Sequence, residues 1–278
     1  MSAEGVVSDD YILATGADAA RRLALLDLVY GPDATRIMTG IGIPRGGRVA
    51  DIGCGTGNTT GWFARNVGPD GEVTAVDASA DQLAVARSHV EVDGHRNIHF
   101  VHASAYGTGL PRDHFDVVHC RLLLCHLVRP LDALREMAAI AKPGGIVVCF
   151  DIDFTGLFSV PAAACYARVQ ELLATHDRLR GIDNALGLNL PRLFRQVGLV
   201  EPDMAFIHPV YLRGEQKRLW EYSFFEASPR FVKSGLTSDA ELKRLGVALA
   251  AVAADESITV AQCRMPVTRG RKPSVRGL

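Results

Sequence analysis

Residues 49–57 read Val-Ala-Asp-Ile-Gly-Cys-Gly-Thr-Gly, and this stretch decides the fold. An apolar run that begins at Arg48 leads directly into three glycines that are separated by single residues. Glycine adopts positive φ angles and lets the backbone approach a ligand closely, and the start of a helix offers unpaired N–H groups. The stretch therefore predicts a strand over 48–52, a turn that cradles a ligand, and a helix from about Asn58 to Val67.

Strands and helices alternate along the chain after this turn. Apolar runs predict strands over 72–77, 97–102, 115–120 and 146–151, and helices over about 80–92 and 131–140. The residues from Lys142 to Gly145 predict a turn in front of the last of these strands. Strands that alternate with helices form βαβ units, so the pattern predicts a mainly parallel sheet.

The two flanks of this region read differently. The segment over about 8–40 is predicted to be helical, with a break at Gly31, Pro32 and Asp33. After residue 153 the alternation weakens. Helices are predicted over about 160–180, 190–197, 215–227 and 238–254, and strands over 205–212 and 258–268. The basic tail over 269–278 is expected to fray.

Aromatic side chains are frequent in the stretches 154–188 and 213–254, which we expect to form a helical cap over a substrate. At helical spacing such residues either line a pocket or pack as ordinary core, and both interpretations stay open. The aromatic residues concerned are Phe154, Phe158, Tyr166, Trp220, Tyr222, Phe224, Phe225 and Phe231.

The composition argues against several classes of protein. Among 278 residues, Lys and Arg number 30 against 31 Asp and Glu, so no charge excess predicts a nucleic-acid partner. The six cysteines form no C-x-x-C pair, which favours reduced thiols in a cytoplasm over disulfides or a zinc site. The amino-terminal residues lack the pattern of a signal peptide, and no apolar run is long enough for a membrane span. We therefore expect a cytoplasmic protein without a metal site.

Two carboxylates flank the glycine turn. Asp51 precedes the first glycine by two residues, where it can orient the positively charged amine of a ligand, directly or through water. Asp77 ends the second strand, where a carboxylate can accept bonds from both hydroxyls of a ribose. This position fits either NAD or S-adenosylmethionine, and a merely solvated carboxylate is the alternative. Asn58 and Thr59 stand where the dinucleotide motif would place its third glycine.

Four motifs together carry a family resemblance. The sequences D-I-G-C-G-T-G, V-D-A-S, F-D-V-V-H-C-R-L-L-L-C-H-L and A-K-P-G-G follow one another within residues 51–145. Over roughly 45–155 the chain resembles class I S-adenosylmethionine-dependent methyltransferases, above all the branch of ubiquinone/menaquinone-biosynthesis and bacterial natural-product tailoring enzymes. The resemblance implies an α/β fold with a Rossmann-like, mostly parallel seven-stranded sheet, helices on both faces and a helical substrate cap. It also implies S-adenosylmethionine as the cofactor and a small-molecule acceptor, such as a secondary metabolite or an aromatic or isoprenoid-like compound.

The resemblance also implies roles for individual residues. The glycine turn would line the methionine part of the cofactor with Asp51 behind it, Asp77 would hold the ribose, and Ala78 would flank the adenine. Many family members have an Asp-Ala pair after the third strand, and here Ser104-Ala105 takes its place, so that a hydroxyl or a backbone N–H would serve. The main chain of Cys120 and Arg121 would meet the methionine amine, whereas the Arg121 side chain can equally form a surface ion pair. The implied cofactor-binding residues are Asp51, Gly53, Cys54, Gly55, Gly57, Asp77, Ala78, Ser104, Ala105, Cys120 and Arg121.

Three residues are candidates for a catalytic role. A general base is needed only if the acceptor must lose its proton early. His126 follows the fourth strand at the sheet edge where open α/β sheets bind ligands, and a packed or capping histidine is the alternative. Asp151 closes the fifth strand at the same edge and either contacts substrate or caps a turn. Tyr11 lies in the front segment, which folds over the cofactor in similar enzymes, although a core or surface tyrosine is equally compatible.

These interpretations divide the chain into an N-terminal helical segment that covers the active site (1–44), a cofactor-binding core (45–153), and cap insertions with the last sheet strands (154–278). An NAD-dependent oxidoreductase would need the third glycine in register and a Tyr-Lys pair, and neither is found. A nucleic-acid methyltransferase would need an Asp/Asn-Pro-Pro-Tyr/Phe motif or a Pro-Cys nucleophile, and both are absent. A non-catalytic cofactor-binding module stays open, since fold alone does not prove activity. A homo-oligomer also stays open.

Overall fold

The computed structural model describes residues 17–274 and alternates strands with helices as far as residue 150. The elements in this part are α1 (Ala17–Ile41), β1 (Arg48–Ile52), α2 (Asn58–Val67), β2 (Glu72–Asp77), α3 (Ala80–Val92), β3 (Ile98–His102), β4 (Phe115–Arg121), α4 (Pro130–Ile140) and β5 (Ala141–Phe150). The later elements are β6 (Phe158–Val160), α5 (Ala164–Leu179), α6 (Leu186–Gln196), β7 (Val200–Ile207), β8 (Val210–Tyr211), α7 (Leu219–Lys233), α8 (Asp239–Ala254), β9 (Thr259–Ala261) and β10 (Met265–Arg271).

The main sheet has seven strands in the order β3-β2-β1-β4-β5-β10-β7. The strands from β1 to β5 pair in parallel, and β10 is antiparallel to both β5 and β7. The predicted Rossmann-like, mostly parallel seven-stranded sheet is therefore confirmed. The chain places β2 and β3 on one side of β1 and then returns to place β4 on the other. Open sheets of this kind bind ligands beyond the carboxyl ends of the strands at such a reversal, which here is the edge after β1 and β4.

Side chains alternate between the two faces of the central strand, and helices cover both faces. Ala50 and Ile52 belong to a buried cluster that includes Leu134 of α4 and Leu190 of α6. Val49 belongs to the opposite cluster, which α1 and α2 complete. Both faces of β1 are therefore withdrawn from water, which explains its uninterrupted apolar sequence.

The predicted break in the front helix is wrong, because α1 continues through Pro32. Proline inside a helix costs about 3 kcal/mol, since it removes one hydrogen bond and crowds the preceding turn. Val29 and Tyr30 before it, and Met38 and Ile41 after it, are all buried against the sheet. Each such side chain contributes about 1.5–3 kcal/mol on burial, so the apolar stripe outweighs the proline.

Four further segments differ from the sequence predictions. The residues 142–145 lie within β5 as an irregularity, where the pairing with β4 shifts between Phe115 and Val117 and Gly144 has a φ of 79°. The predicted strand over 205–212 is divided into β7 and β8, and the one over 258–268 into β9 and β10. Residues 269–271 do not fray, because they pair with β5 and Arg269 forms an ion pair with Asp203 at 3.0 Å.

Candidate active site

The glycine turn joins β1 to α2 with three positive φ angles, 71° at Gly53, 53° at Gly55 and 83° at Gly57. The Gly55 N–H donates to Oδ2 of Asp77 at 2.9 Å, which ties the turn to the end of β2. A Cβ placed on Gly55 would meet no atom within 4 Å. The turn therefore leaves its backbone open to an approaching ligand at this point.

Gly57 has a packing role that the sequence pattern alone does not reveal. A Cβ at this position would lie 3.0 Å from the Cβ of Ala86 in α3. We expect Gly57→Ala to lower the free energy of unfolding by about 1–3 kcal/mol, through backbone strain and overpacking. Urea denaturation measures this loss.

Gly94→Ala is the matched control, because Gly94 also has a positive φ, 75°, but a Cβ there would meet nothing within 4 Å. It should show the strain cost without the packing cost. Equal losses in the two variants would contradict the close approach of α2 and α3.

A cavity of about 100 Å³ opens beside the turn, and we refer to it as the smaller cavity. Among the predicted cofactor-binding residues, Asp51, Gly53, Cys54, Gly55 and Arg121 line it. The others, Gly57, Asp77, Ala78, Ser104, Ala105 and Cys120, do not. The complete lining is Leu23, Leu26, Asp27, Asp51, Gly53, Cys54, Gly55, Thr56, Asn58, Thr59, Gln82, His119, Arg121 and Leu122.

Asp77 is buried at the end of β2 and fixes two loops at once. Its Oδ2 accepts from the Gly55 N–H, and its Oδ1 accepts from the Ser79 N–H at 2.9 Å. Each carboxylate oxygen has a second lone pair, so both can also accept a hydrogen bond from a hydroxyl group of a ligand. Burial next to the turn thus leaves Asp77 able to hold a ribose.

Asp51 is also buried, but its two oxygens have partners within the protein. Oδ2 accepts from the Thr60 hydroxyl at 2.6 Å, and Oδ1 lies 2.8 Å from Nδ1 of His119. The His119 ring packs between Phe63 and Phe150, with ring centroids 5.0 and 5.5 Å away. A direct contact from Asp51 to a ligand amine therefore competes with these bonds, and its observed role is to join β1, β4 and α2 behind the turn.

Helix α1 closes over the smaller cavity through Asp27. One carboxylate oxygen of Asp27 accepts from the Asn58 side chain at 2.9 Å, and the other forms an ion pair with Arg121 at 3.1 Å. The Arg121 side chain therefore forms an ion pair, which was one of the two alternatives. Leu23 and Leu26 of the same helix line the cavity. Tyr11, the candidate in the front segment, lies outside the described residues.

A second cavity of about 210 Å³, the larger cavity, adjoins the first. Both cavities are lined by Leu26 and Leu122. Its wall combines apolar and aromatic side chains with a charged group of residues. The lining is Arg22, Leu26, Tyr30, Leu122, Cys125, His126, Ile152, Phe154, Leu173, His176, Asp177, Arg180, Ile182, Leu219, Trp220, Ser223, Glu226, Arg230 and Phe231.

His126 is the predicted catalytic residue that lies on the wall of the larger cavity. It ends a short 3₁₀ helix, Leu124–His126, which follows β4. The His126 side chain is partly open to solvent, but the crowding of protein atoms around it in this concave site, followed by the charges of Arg230, Arg22 and Arg180, lowers the pKa of His126 to about 4. The imidazole is therefore neutral at pH 7 and able to accept a proton.

Asp151 is fully buried and lines neither cavity. Its Oδ2 accepts from the Cys125 N–H at 3.1 Å, and its Oδ1 accepts from the Ile152 N–H at 2.8 Å. Burial raises the pKa of Asp151 to about 6. The carboxylate holds the segment that carries His126 against the end of β5, so the structure places it beneath the cavity wall rather than on it.

The aromatic residues of the predicted cap differ in whether they line the larger cavity. Phe154, Trp220 and Phe231 line the larger cavity, whereas the other five aromatic candidates do not. Several charged residues that line the larger cavity were not predicted from the sequence, namely Arg22, His176, Asp177, Arg180 and Arg230. His119, which lines the smaller cavity, was not predicted either. A charged residue in a helix that ends beside a cavity looks like any solvated residue in the sequence.

Residues 17–274 contain neither a candidate metal site nor a candidate membrane-spanning helix. No cluster of three or more His, Cys, Asp or Glu side chains suited to a metal ion occurs there. None of the helices in this range has the length and apolar composition that a bilayer crossing requires.

Residues 49–145, about a third of the chain, match the protein family described as Methyltransferase domain. A ubiquinone/menaquinone biosynthesis C-methyltransferase of Azotobacter vinelandii is 37% identical over 131 residues, which make up 47% of this chain and 49% of that protein. The chain spans about half the length of the curated relatives it matches.

Solved structures share the fold over most of the chain. A Bacillus halodurans protein described as a methyltransferase has a TM-score of 0.60 at 19% identity, over 86% of this chain and 99% of that one. Phosphoethanolamine N-methyltransferase 2 of Haemonchus contortus, in complex with phosphomonomethylethanolamine and S-adenosylhomocysteine, has a TM-score of 0.54 at 16% identity. That match covers 92% of this chain and 53% of that one. At these identities the likeness shows the fold alone.

Proposed function

We propose that this chain, whose residues 49–145 match a methyltransferase domain, uses S-adenosylmethionine to transfer a methyl group to a small-molecule acceptor. The observation that supports this most directly is the junction of the two cavities at Leu26 and Leu122. A cofactor in the smaller cavity and an acceptor in the larger one would meet there, which is the arrangement that group transfer requires.

The residues in and directly behind the smaller cavity fit the cofactor. The open face of Gly55 admits a ligand close to the backbone, and Asp77 at the edge of β2 has acceptor capacity left for ribose hydroxyls. Asp27 and Asn58 close the site from the side of α1. We assign Gly53, Cys54 and Gly55 to the methionine part and Asp77 to the ribose. We keep Ala78, Ser104 and Ala105 as candidates on the adenine side, and Gly57 and Cys120 as candidates behind the turn.

When bound, S-adenosylmethionine supplies an electrophilic methyl group on a positively charged sulfur, which a nucleophilic acceptor atom attacks in line. The side chains of Leu26 and Leu122 exclude water from the junction, so that the loss of charge at the reacting centre is favoured. Asp151 and the main chain around Cys125 hold the wall on which the acceptor rests. Most of the rate enhancement then comes from positioning and exclusion of water.

His126 is the general base of this proposal for an acceptor that must lose a proton. Its pKa of about 4 keeps the ring neutral at pH 7, so an acceptor hydroxyl or amine can give it a proton as the new bond to the methyl carbon forms. We expect His126→Gln to lower kcat about 100-fold and to leave the affinity for S-adenosylhomocysteine within about twofold. Steady-state kinetics and calorimetry on the same preparation measure the two effects.

His99→Gln is the control, because His99 lies exposed on the edge strand β3 and lines neither cavity. The dependence of kcat/KM on pH provides a second test. With His126 as the base, the rate falls on the acid side only as the pH approaches about 4. An unchanged kcat in His126→Gln would exclude the proton transfer.

The class of acceptor, the division of the chain and its compartment are also part of this proposal. The aromatic wall formed by Phe154, Trp220 and Phe231 suits an aromatic or isoprenoid-like secondary metabolite. The similar protein of Azotobacter vinelandii is described as a C-methyltransferase of ubiquinone/menaquinone biosynthesis. We infer that the described part of the N-terminal segment, residues 17–44, covers the site, that 45–153 bind the cofactor and that the described part of the last segment, residues 154–274, supplies the cap. The six cysteines are free thiols, which favours the reducing cytoplasm.

Mass spectrometry of reactions with a panel of phenols, quinols and aromatic acids tests the proposal. We expect S-adenosylmethionine-dependent addition of 14 mass units, about the mass of one CH₂, to at least one acceptor, with release of S-adenosylhomocysteine. Tight cofactor binding without turnover of any acceptor would favour a non-catalytic binding module instead.

A further inference from the structure

Charged side chains gather on one part of the wall of the larger cavity. Arg22, Arg180 and Arg230 bring three guanidinium groups to it, whereas Asp177 and Glu226 bring two carboxylates. The positive charges of all three arginines act on His126, which places them around the same part of the cavity. Among the described residues that line the cavity, positive charges therefore outnumber negative ones by one while His126 is neutral.

The two carboxylates already have partners inside the protein. Glu226 forms an ion pair with Arg22, and only 14% of either side chain is exposed. Asp177 lies 3.5 Å from Nδ1 of His176, and burial raises the pKa of Asp177 above its usual value. Both carboxylates are thus engaged in contacts within the protein.

Arg180 differs from these residues. Within residues 17–274 it forms no ion pair. Its positive charge does act on Asp177, where it opposes the rise in the pKa of that carboxylate. It is the residue that follows α5, and Ile182, two residues further on, also lines the cavity. A guanidinium group in such a position can bind a planar anion with two parallel hydrogen bonds.

We propose that the larger cavity binds an acceptor that carries a carboxylate, which Arg180 holds while the apolar wall encloses the rest of the molecule. Phe154, Trp220 and Phe231 provide that wall. The acceptor is accordingly an organic acid with an apolar, preferably aromatic, body. This inference rests on the methyltransferase function proposed above and specifies its substrate class.

Three pairs of probes test the charge preference: benzoate and benzamide, 2-naphthoate and 2-naphthamide, octanoate and octanamide. The members of each pair differ in the charge of one group. Calorimetry on protein saturated with S-adenosylhomocysteine is expected to show at least one acid binding about tenfold or more tighter than its amide. Arg180→Gln should reduce that ratio to about one, since the charge-assisted bonds are lost.

Arg178→Gln is the matched control. Arg178 lies two residues earlier, is exposed, donates to the Thr175 hydroxyl at 3.4 Å and does not line the cavity. Its variant should keep the preference for the acid. Equal binding of acids and amides to the unmodified protein, no binding of any probe, or a preference that survives in Arg180→Gln would overturn the inference.

Binding of S-adenosylhomocysteine, measured first on the same preparation, separates the two proposals. If it binds and the acids show no preference, only the carboxylate recognition is wrong. If it does not bind, the methyltransferase function is wrong, and the assignment of an acceptor is wrong with it.

Discussion

Asp77→Ala is expected to weaken the binding of S-adenosylhomocysteine about 100-fold or more, which is the largest effect on the cofactor that we expect from one substitution. Hydrogen bonds to a charged group contribute about 1.5–3 kcal/mol each, and two ribose hydroxyls would lose such a partner. The loss extends to the turn, because the Gly55 and Ser79 N–H groups also donate to this carboxylate. Titration calorimetry measures the change.

Asp77→Asn separates the charge from the geometry. The amide keeps one acceptor oxygen at nearly the same place, so its affinity should lie between those of the parent protein and of Asp77→Ala. Urea denaturation without cofactor shows whether the turn itself has become less stable. Unchanged affinity in Asp77→Ala, with the fold intact, would refute the assignment of this residue to the ribose.

Asp51→Ala is expected to lower the free energy of unfolding by about 3–5 kcal/mol. The substitution leaves the Thr60 hydroxyl without its acceptor and Nδ1 of His119 without its partner, and both of these residues are almost completely buried. Each buried group that loses its partner costs about 1–3 kcal/mol, and removing one member of a buried pair is costly in the same range. The midpoint of urea denaturation should fall while its slope stays unchanged.

Asp33→Ala provides the comparison for this variant. Asp33 lies on α1 with 47% of its side chain exposed and forms an ion pair with Arg36 at 2.9 Å. An exposed pair of this kind contributes little, so the loss should stay within about 0.5 kcal/mol. A loss below about 1 kcal/mol in Asp51→Ala would contradict the view that Asp51 joins β1, β4 and α2.

The fold was predictable from short-range patterns. A buried parallel strand such as β1 reads as an apolar run, and a glycine turn followed by a helix has a local signature that needs no tertiary information. Asp77 was found for the same reason, because its position at the end of a strand is visible in the sequence. The continuous helix α1 was missed, since only packing on the sheet reveals the burial that outweighs Pro32.

The charged part of the larger cavity was not predictable in this way. Arg22, Arg180 and Arg230 come from three separate elements and meet only in the folded chain. His119 pairs in register with Asp51 across β1 and β4, but its sequence context is that of an ordinary core strand. Asp151 and His126 both follow strands at the same edge, and only the hydrogen bonds show which of them reaches the cavity.

Titration calorimetry of the purified protein with S-adenosylhomocysteine, beside NAD and NADP, tests the central claim most directly. The smaller cavity with its open glycine turn and Asp77 predicts saturable binding of S-adenosylhomocysteine alone. The dissociation constant is expected on the order of micromolar, near −8 kcal/mol. Binding of NAD or NADP in its place, or of none of the three, would contradict the assignment of this domain to methyl transfer.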